Sequence, residues 1–198
     1  MSALRRTTAI VWLVLSAPLV VQTIRYVTGA TFYGAYLQWT GVVAAQLLLL
    51  TLAVTPLRRL LPRAGWILSI SRWRRDIGVA TFCYALAHTL SFLIYKRDVG
   101  VIVEQSLEAE LLTGWIAMLL FAALAATSND ASVRRLGRRW KRLHRSVYLA
   151  AALTMVHWIL TAFDPTTGFV YLAILVALLL LRLLLRGRKP GDADPAGT

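Results

Sequence analysis

Six apolar stretches alternate along the chain with short polar segments that are rich in arginine. They run approximately over residues 8–27, 40–60, 76–95, 111–127, 143–162 and 168–185. Each has about the 20 residues that a helix needs to cross the hydrocarbon core of a bilayer. The pattern predicts an all-α integral membrane six-helix bundle, with one domain over residues 1–187 and a disordered cytoplasmic tail over residues 188–198.

Composition supports a membrane protein and excludes several other classes. Of the 198 residues 58% are apolar and 16% are charged, which leaves too few polar residues for a large water-soluble enzymatic domain. The single cysteine, Cys83, allows no disulfide within the chain, and it lies in no CxxCH motif for covalent heme attachment. The glycines form neither a GxGxxG nor a Walker pattern, so no dinucleotide or triphosphate site is predicted.

The positions of the basic residues predict the orientation of the spans. The net charge is +13, and a cytoplasmic N-terminus would place 19 of the 22 Lys and Arg residues in cytoplasmic segments. The three on the other side are Arg25, Lys96 and Arg97. This bias predicts a multi-pass membrane protein with both termini in the cytoplasm, and it argues against nucleic acid as a partner.

Two histidines are predicted at matching depth within the spans. At about 1.5 Å per residue, His88 lies roughly 18 Å into the third span and His157 roughly 21 Å into the fifth. Two imidazoles at one depth on parallel helices can ligate one iron, so His88 and His157 are candidate axial ligands of a b-type heme. Hydrogen bonding of each histidine to a neighbouring helix, or a proton-carrying role in a heme-free transporter, stays open.

A third histidine lies at the predicted cytoplasmic edge. On one continuous helix His144 would be about 140° and 20 Å away from His157, so the two could not share a heme. His144 could ligate a second heme, border a flavin or quinone, or bond to lipid headgroups. Arg74, Arg75 and Trp140 are predicted beside it, where arginines suit an anionic donor such as a flavin phosphate. The alternative is that these arginines only set topology and bind acidic lipids.

An acidic patch is predicted on the opposite side of the membrane. Glu104, Glu108 and Glu110 lie between the third and fourth spans. They could form a docking surface for a partner, or they could simply be solvated.

Several segments resemble one known family. Leu136 to Trp158 reads LGRRWKRLHRSVYLAAALTMVHW, which is similar to the W-x-x-L-H-x-x-x-Y segment of the MsrQ (YedZ) family, with a second histidine 13 residues later. The third span reads RRDIGVATFCYALAHTLSF, with an arginine pair, a glycine and the central His88. The segment TGVVAAQLLLLTLAVTPLRRL and the Ala-Thr-Ser at 126–128 are further matches.

The resemblance implies a ferric reductase-like transmembrane domain and a function in electron transfer. It implies that electrons pass through b-type heme to a periplasmic, molybdenum-dependent methionine sulfoxide reductase that repairs oxidised proteins. The donor would be the quinone pool or a flavin reductase, and FMN is associated with the family. His88 and His157 match the family's axial ligands, and His144 matches its cytoplasmic-side histidine.

The short segment after the last span bears on the source of electrons. Only 13 residues follow Leu185, so we expect no fused flavin and nicotinamide domain and no direct oxidation of NAD(P)H. We therefore expect an electron-transfer subunit of an oxidoreductase system, without a catalytic residue of its own. Another ferric reductase-like electron carrier, a heme-free transporter subunit and a purely structural anchor remain alternatives.

Overall fold

A computed structural model describes residues 2–185, and within them the chain forms nine α-helices and no strand. The helices are α1 (Ser2–Val27), α2 (Tyr33–Leu60), α3 (Gly65–Lys96), α4 (Val99–Ser106), α5 (Ala109–Ala126), α6 (Asp130–Leu136), α7 (Arg138–Arg145), α8 (Val147–Thr161) and α9 (Thr166–Leu184). The tail predicted over residues 188–198 lies outside the described residues.

Five of the described helices are long and apolar enough to cross a membrane, namely α1, α2, α3, α5 and α9. The all-α membrane fold is therefore confirmed, whereas the count of six spans is not. The fifth predicted stretch is divided between α7 and the 15-residue α8. The division falls at Ser146, whose backbone N–H and side-chain Oγ both donate to the carbonyl of Leu143, three residues back.

The segment between the second and third predicted spans is mostly helical, contrary to the expectation of a polar linker over residues 62–75. After a turn over residues 61–64, α3 begins at Gly65. Arginine, leucine and isoleucine are good or acceptable helix formers, and no further glycine or proline occurs before Gly78. The helix therefore carries Arg74 and Arg75 on the same rigid element as His88.

The short helix α8 packs one face into the bundle. Ala150, Ala151 and Met155 are fully buried, and they share one core cluster with residues of α2, α5 and α9. At 1.5 Å per residue α8 is only about 22 Å long, less than the roughly 30 Å of hydrocarbon. Leu149 and Leu160 on its other face are exposed, which suits contact with lipid.

The first helix packs on the outside of the bundle against α2 and α3. The indole Nε1 of Trp12 donates to Asp76 at 2.9 Å, and the hydroxyl of Tyr84 donates to the carbonyl of Leu15 at 3.0 Å. Leu13 and Val14 are each 65% exposed on the opposite face. An apolar face of this kind on a spanning helix suits contact with lipid.

The two ends of the bundle differ in charge. We call the end formed by the last turns of α2 and α9, the first turns of α3, and α6 and α7 the basic end. There Arg59 donates to the carbonyl of Leu185 at 3.1 Å. We call the other end, with α4 and the first turns of α2 and α5, the acidic end, and there the stacked rings of Tyr33 and Tyr95 join α2 to α3.

Candidate functional site

The structure brings His88 of α3 and His157 of α8 together. Their ring centroids are 6.3 Å apart, and the ring planes are nearly perpendicular at 87°. A metal–imidazole bond is about 2 Å, so two imidazoles on opposite sides of one metal ion have centroids about 6 Å apart once the half-width of each ring is added. The observed spacing fits a pair of axial ligands.

Backbone carbonyls fix the protonation of both rings. Nδ1 of His88 lies 2.9 Å from the carbonyl oxygen of Leu37, and Nδ1 of His157 lies 2.8 Å from that of Glu110. A carbonyl can only accept, so Nδ1 carries the proton in each ring and Nε2 keeps its lone pair. This is the tautomer that a ligating histidine needs, with the hydrogen bond to Nδ1 holding the ring in place.

A glycine lies against each ring. A Cβ atom on Gly41 of α2 would be 3.0 Å from Nδ1 of His88, and one on Gly114 of α5 would be 2.8 Å from Nδ1 of His157. Each glycine follows by four residues the carbonyl that its histidine uses, so the missing side chain is what lets the ring reach that carbonyl. The same local geometry therefore occurs twice, once between α2 and α3 and once between α5 and α8.

A threonine completes the arrangement on each side. The hydroxyl proton of Thr40 is shared between the carbonyls of Tyr36 at 2.9 Å and Leu37 at 3.0 Å. The hydroxyl proton of Thr113 is shared in the same way between the carbonyls of Ala109 at 3.0 Å and Glu110 at 2.9 Å. The carbonyls of Leu37 and Glu110 thus each accept from both a threonine hydroxyl and a histidine Nδ1–H. We call each Thr-Gly pair with its carbonyl a histidine clasp.

The two clasps were not predicted from the sequence, although the sequence contains a pattern that marks them. Both are Thr-Gly dipeptides inside apolar helices, at Thr40–Gly41 and Thr113–Gly114. Glycine in a helix interior costs about 1 kcal/mol relative to alanine, so such a glycine usually has a packing reason. The residue after the second glycine, Trp115, was also missed, and its buried indole Nε1 has no hydrogen-bond partner within the described chain.

The third histidine sits at the basic end. His144 Nε2 lies 3.1 Å from the hydroxyl of Thr127, and the ring of Trp140 stacks on the imidazole with centroids 3.9 Å apart. The indole of Trp140 donates to the carbonyl of the same Thr127 at 2.9 Å. Ser146, which separates α7 with His144 from α8 with His157, keeps right-handed helical backbone angles of φ −63° and ψ −10°.

Burial is the largest cause that lowers the pKa of His144, which lies outside the spanning helices. The nearby charges of Arg75 and Arg74 lower that pKa further, while the hydrogen bond with Thr127 opposes them. At neutral pH the imidazole is therefore neutral. The predicted grouping of His144 with both arginines and Trp140 is present in the structure.

The two arginines of this group have different partners. Arg75 pairs with Asp130 of α6 at 2.6 Å, and this hydrogen bond and charge hold the pKa of the Asp130 carboxyl below its usual value. Arg74 instead donates from Nε to the carbonyl of Thr51 on α2 at 3.1 Å. Among the described residues Arg74 therefore has no carboxylate partner, whereas Arg75 is paired with Asp130.

Comparisons with known proteins bear on the family of the chain. The family model described as a ferric reductase like transmembrane component matches residues 40–155. Proteins named heme-binding subunit MsrQ of protein-methionine-sulfoxide reductase, from Brucella ovis, Brucella canis and Brucella suis, are each 39% identical over 157 residues. The alignments cover 76% of this chain and 69% of each relative. The chain belongs to the MsrQ family.

Membership of the MsrQ family confirms the ferric reductase-like transmembrane fold. The matched segment includes Thr40, Gly41, His88 and His144, and it ends just before His157. No solved structure matches the chain.

Proposed function

We propose that this chain is a heme-binding membrane subunit that carries electrons across the bacterial inner membrane to a periplasmic methionine sulfoxide reductase. The observation that carries the proposal is the pairing of His88 and His157, 6.3 Å apart with Nδ1 of both rings bonded to a carbonyl. The relatives' names, which describe heme-binding subunits of such a reductase, support the same function.

The donor set suits heme iron better than a bare metal ion. Structural zinc takes four protein ligands and catalytic zinc three, whereas a heme iron needs only two axial ligands because the porphyrin supplies the rest. Two neutral imidazoles with free Nε2 atoms meet that need. Within residues 2–185 no group of three or more His, Cys, Asp or Glu side chains could hold a metal ion by itself.

A b-type heme held by two histidines supplies one-electron transfer without an open coordination position for substrate. The residues of the chain hold the two rings and fix their tautomer. His88 and His157 would be the axial ligands, positioned by the two histidine clasps. No residue is assigned a catalytic role, since reduction of the sulfoxide belongs to the partner.

The location of the pair suggests an outward path for electrons. Both carbonyls that bond the histidines belong to the first or second turn of their helices, at the acidic end. A heme there would lie near the periplasmic side, where a soluble acceptor can approach. Entry would be at the basic end, beside Arg74, Trp140 and His144, from quinol or from a flavin reductase, with FMN or a second heme at His144 as an intermediate carrier.

The acidic end supports docking of the reductase. Glu104, Glu108 and Glu110 are exposed there, and none of them forms an ion pair within the described chain. Glu110 also provides the carbonyl that bonds His157. A periplasmic molybdenum-dependent reductase bound at this patch would lie next to the histidine pair, and it would use two electrons and two protons to turn each sulfoxide into a thioether and water.

The membrane and the orientation are part of the proposal. We place the chain in the inner membrane with α8 crossing as a sixth segment, so that both termini are cytoplasmic. The basic end would then face the cytoplasm, in accordance with the excess of arginine there.

A spectroscopic and kinetic experiment tests this function. Purified protein is expected to show the Soret and α bands of a low-spin b-type heme, and a quinol or enzymatically reduced flavin is expected to reduce it. Mixing with the oxidised partner reductase should reoxidise the heme and, with sulfoxide present, sustain turnover. Colourless protein, or heme that the partner does not reoxidise, would contradict the proposal.

A further inference from the structure

A second arginine at the basic end lies in an unusual environment. Arg182, near the end of α9, has a buried Nη1 atom without a hydrogen-bond partner in the described chain. Its guanidinium lies over the ring of Tyr148, with Cζ 4.9 Å from the ring centroid. A cation–π contact compensates part of the cost of burying a charge, but it supplies no hydrogen-bond acceptor to the buried Nη1.

A second cation lies close to this one. Arg74 is within electrostatic range of both Tyr148 and Arg182. Its Nε bonds to the carbonyl of Thr51, which orients the guanidinium without neutralising it. Two guanidinium groups from α3 and α9 therefore lie near each other beside one aromatic ring.

The described chain provides no anion for this pair. Two acidic side chains at this end already have other partners, since Asp76 of α3 accepts from the indole of Trp12 and Asp130 of α6 pairs with Arg75. An unpaired charge held out of water is costly, and two like charges raise the cost further. The arrangement is explained if an anion that is not part of these residues binds between them.

We propose that Arg74 and Arg182 form a phosphate-binding site at the basic end, with Tyr148 as its wall. Guanidinium forks bind phosphate oxygens through pairs of charge-assisted hydrogen bonds, and two arginines match the charge of a phosphate monoester. The phosphate belongs either to a flavin mononucleotide or to a phospholipid headgroup. The site does not depend on the ligation of heme by His88 and His157.

The site differs from the grouping that the sequence predicted. Arg75 is paired with Asp130 and Trp140 is stacked on His144, so both already have partners within the described chain. Arg182 was only one of the 19 cations placed on the cytoplasmic side, yet its buried Nη1 has no hydrogen-bond partner among the described residues. We therefore assign phosphate binding to Arg182 in place of Arg75.

The test uses full-length protein in a non-ionic detergent and three variants. Arg182→Gln and Arg74→Gln remove the proposed ligands, and Arg58→Gln is the matched control because Arg58 is an exposed arginine of α2 at the same end. One arm titrates FMN and riboflavin, which differ only by the phosphate. The other arm counts added phosphatidylglycerol molecules that stay bound in native mass spectrometry.

In one of the two arms the wild-type protein and Arg58→Gln are expected to bind the phosphate compound at least tenfold better than Arg182→Gln and Arg74→Gln. Preference for FMN over riboflavin identifies the flavin, and retained phosphatidylglycerol identifies the lipid. Equal behaviour of Arg182→Gln and Arg58→Gln in both arms would overturn the proposal. So would loss of heme absorbance in Arg182→Gln with unchanged phosphate binding, because the bound anion would then be a heme carboxylate.

Two further variants distinguish loss of the phosphate site from a folding defect. Arg182→Lys keeps the charge but lacks the paired N–H donors of the guanidinium. This variant should therefore fold normally and bind phosphate more weakly than the wild type. Tyr148→Phe keeps the aromatic ring, so its phosphate binding should equal that of the wild type. The absorbance of the heme, recorded on the same samples, keeps failure of this site separate from failure of the histidine pair.

Discussion

Gly114 lies so close to His157 that a Cβ atom on the glycine would be 2.8 Å from Nδ1 and Cε1 of the imidazole. Atoms cannot approach this closely, so an added methyl group must displace the ring or its helix. The bond from Nδ1 to the carbonyl of Glu110 would then be lengthened.

We therefore expect Gly114→Ala to lower the heme content of the purified protein severalfold. Gly41→Ala should have a smaller effect, because its Cβ would be 3.0 Å from His88 Nδ1. Gly78→Ala is the control, since a Cβ there meets only a methyl group of Thr51 at 3.9 Å. The measurement is heme per protein, and equal heme in all three variants would contradict the clasp geometry.

The threonine of each clasp should influence the redox potential. Thr40→Val removes a hydroxyl that competes with His88 for the carbonyl of Leu37, so the bond from His88 Nδ1–H strengthens and the imidazole becomes a better donor to iron. Ferric iron is favoured, and the midpoint potential should fall by about 20 mV for each half kcal/mol gained. Potentiometric titration measures this shift.

Thr113→Val should lower the potential in the same way through Glu110 and His157. Thr89→Val is a suitable control, because the hydroxyl of Thr89 bonds to the carbonyl of Ala85, which no histidine uses. An unchanged potential in both clasp variants would show that the threonines serve helix packing only.

The orientation of the chain can be checked with reporter fusions. A fusion after Thr198 should report the cytoplasm and one near Gly100 should report the periplasm, because α4 lies at the acidic end and 19 of 22 cations would be inside. A periplasmic signal from the C-terminal fusion would contradict the proposed six crossings.

The role of His144 is tested by the rate of reduction. In His144→Ala the heme at His88 and His157 should remain bound and should still be reduced by dithionite. Its reduction by quinol or reduced flavin should slow by at least tenfold, because the carrier or binding group at the basic end is lost. Stopped-flow absorbance gives these rates, and wild-type rates would leave His144 with only its structural contacts to Thr127 and Trp140.

The sequence was enough to predict the membrane fold and the meeting of two histidines, because both follow from regular helices. A rise of 1.5 Å per residue places His88 and His157 at one depth whatever the details of packing. The clasps could not be predicted, since they depend on which helix face meets which neighbour. Only the structure shows that Gly41 lies under His88 and Gly114 under His157.

Local hydrogen bonds account for the features that the pattern missed. The break at Ser146 comes from its two bonds to the carbonyl of Leu143, and an apolar run does not reveal such a break. The partners of Arg74, Arg75 and Arg182 likewise depend on distances between helices that are far apart in sequence. The charge pattern predicted that these arginines lie on the same side of the membrane, but it did not predict their different partners.

The central claim is that His88 and His157 ligate the same heme, and the visible spectra of two single variants test it most directly. Reduced-minus-oxidised spectra of His88→Ala and His157→Ala are compared with the wild type and with His144→Ala, all at equal protein concentration. Both variants should lose the same low-spin b-type signal, whereas His144→Ala should keep it. A normal low-spin spectrum in either His88→Ala or His157→Ala would contradict the pairing.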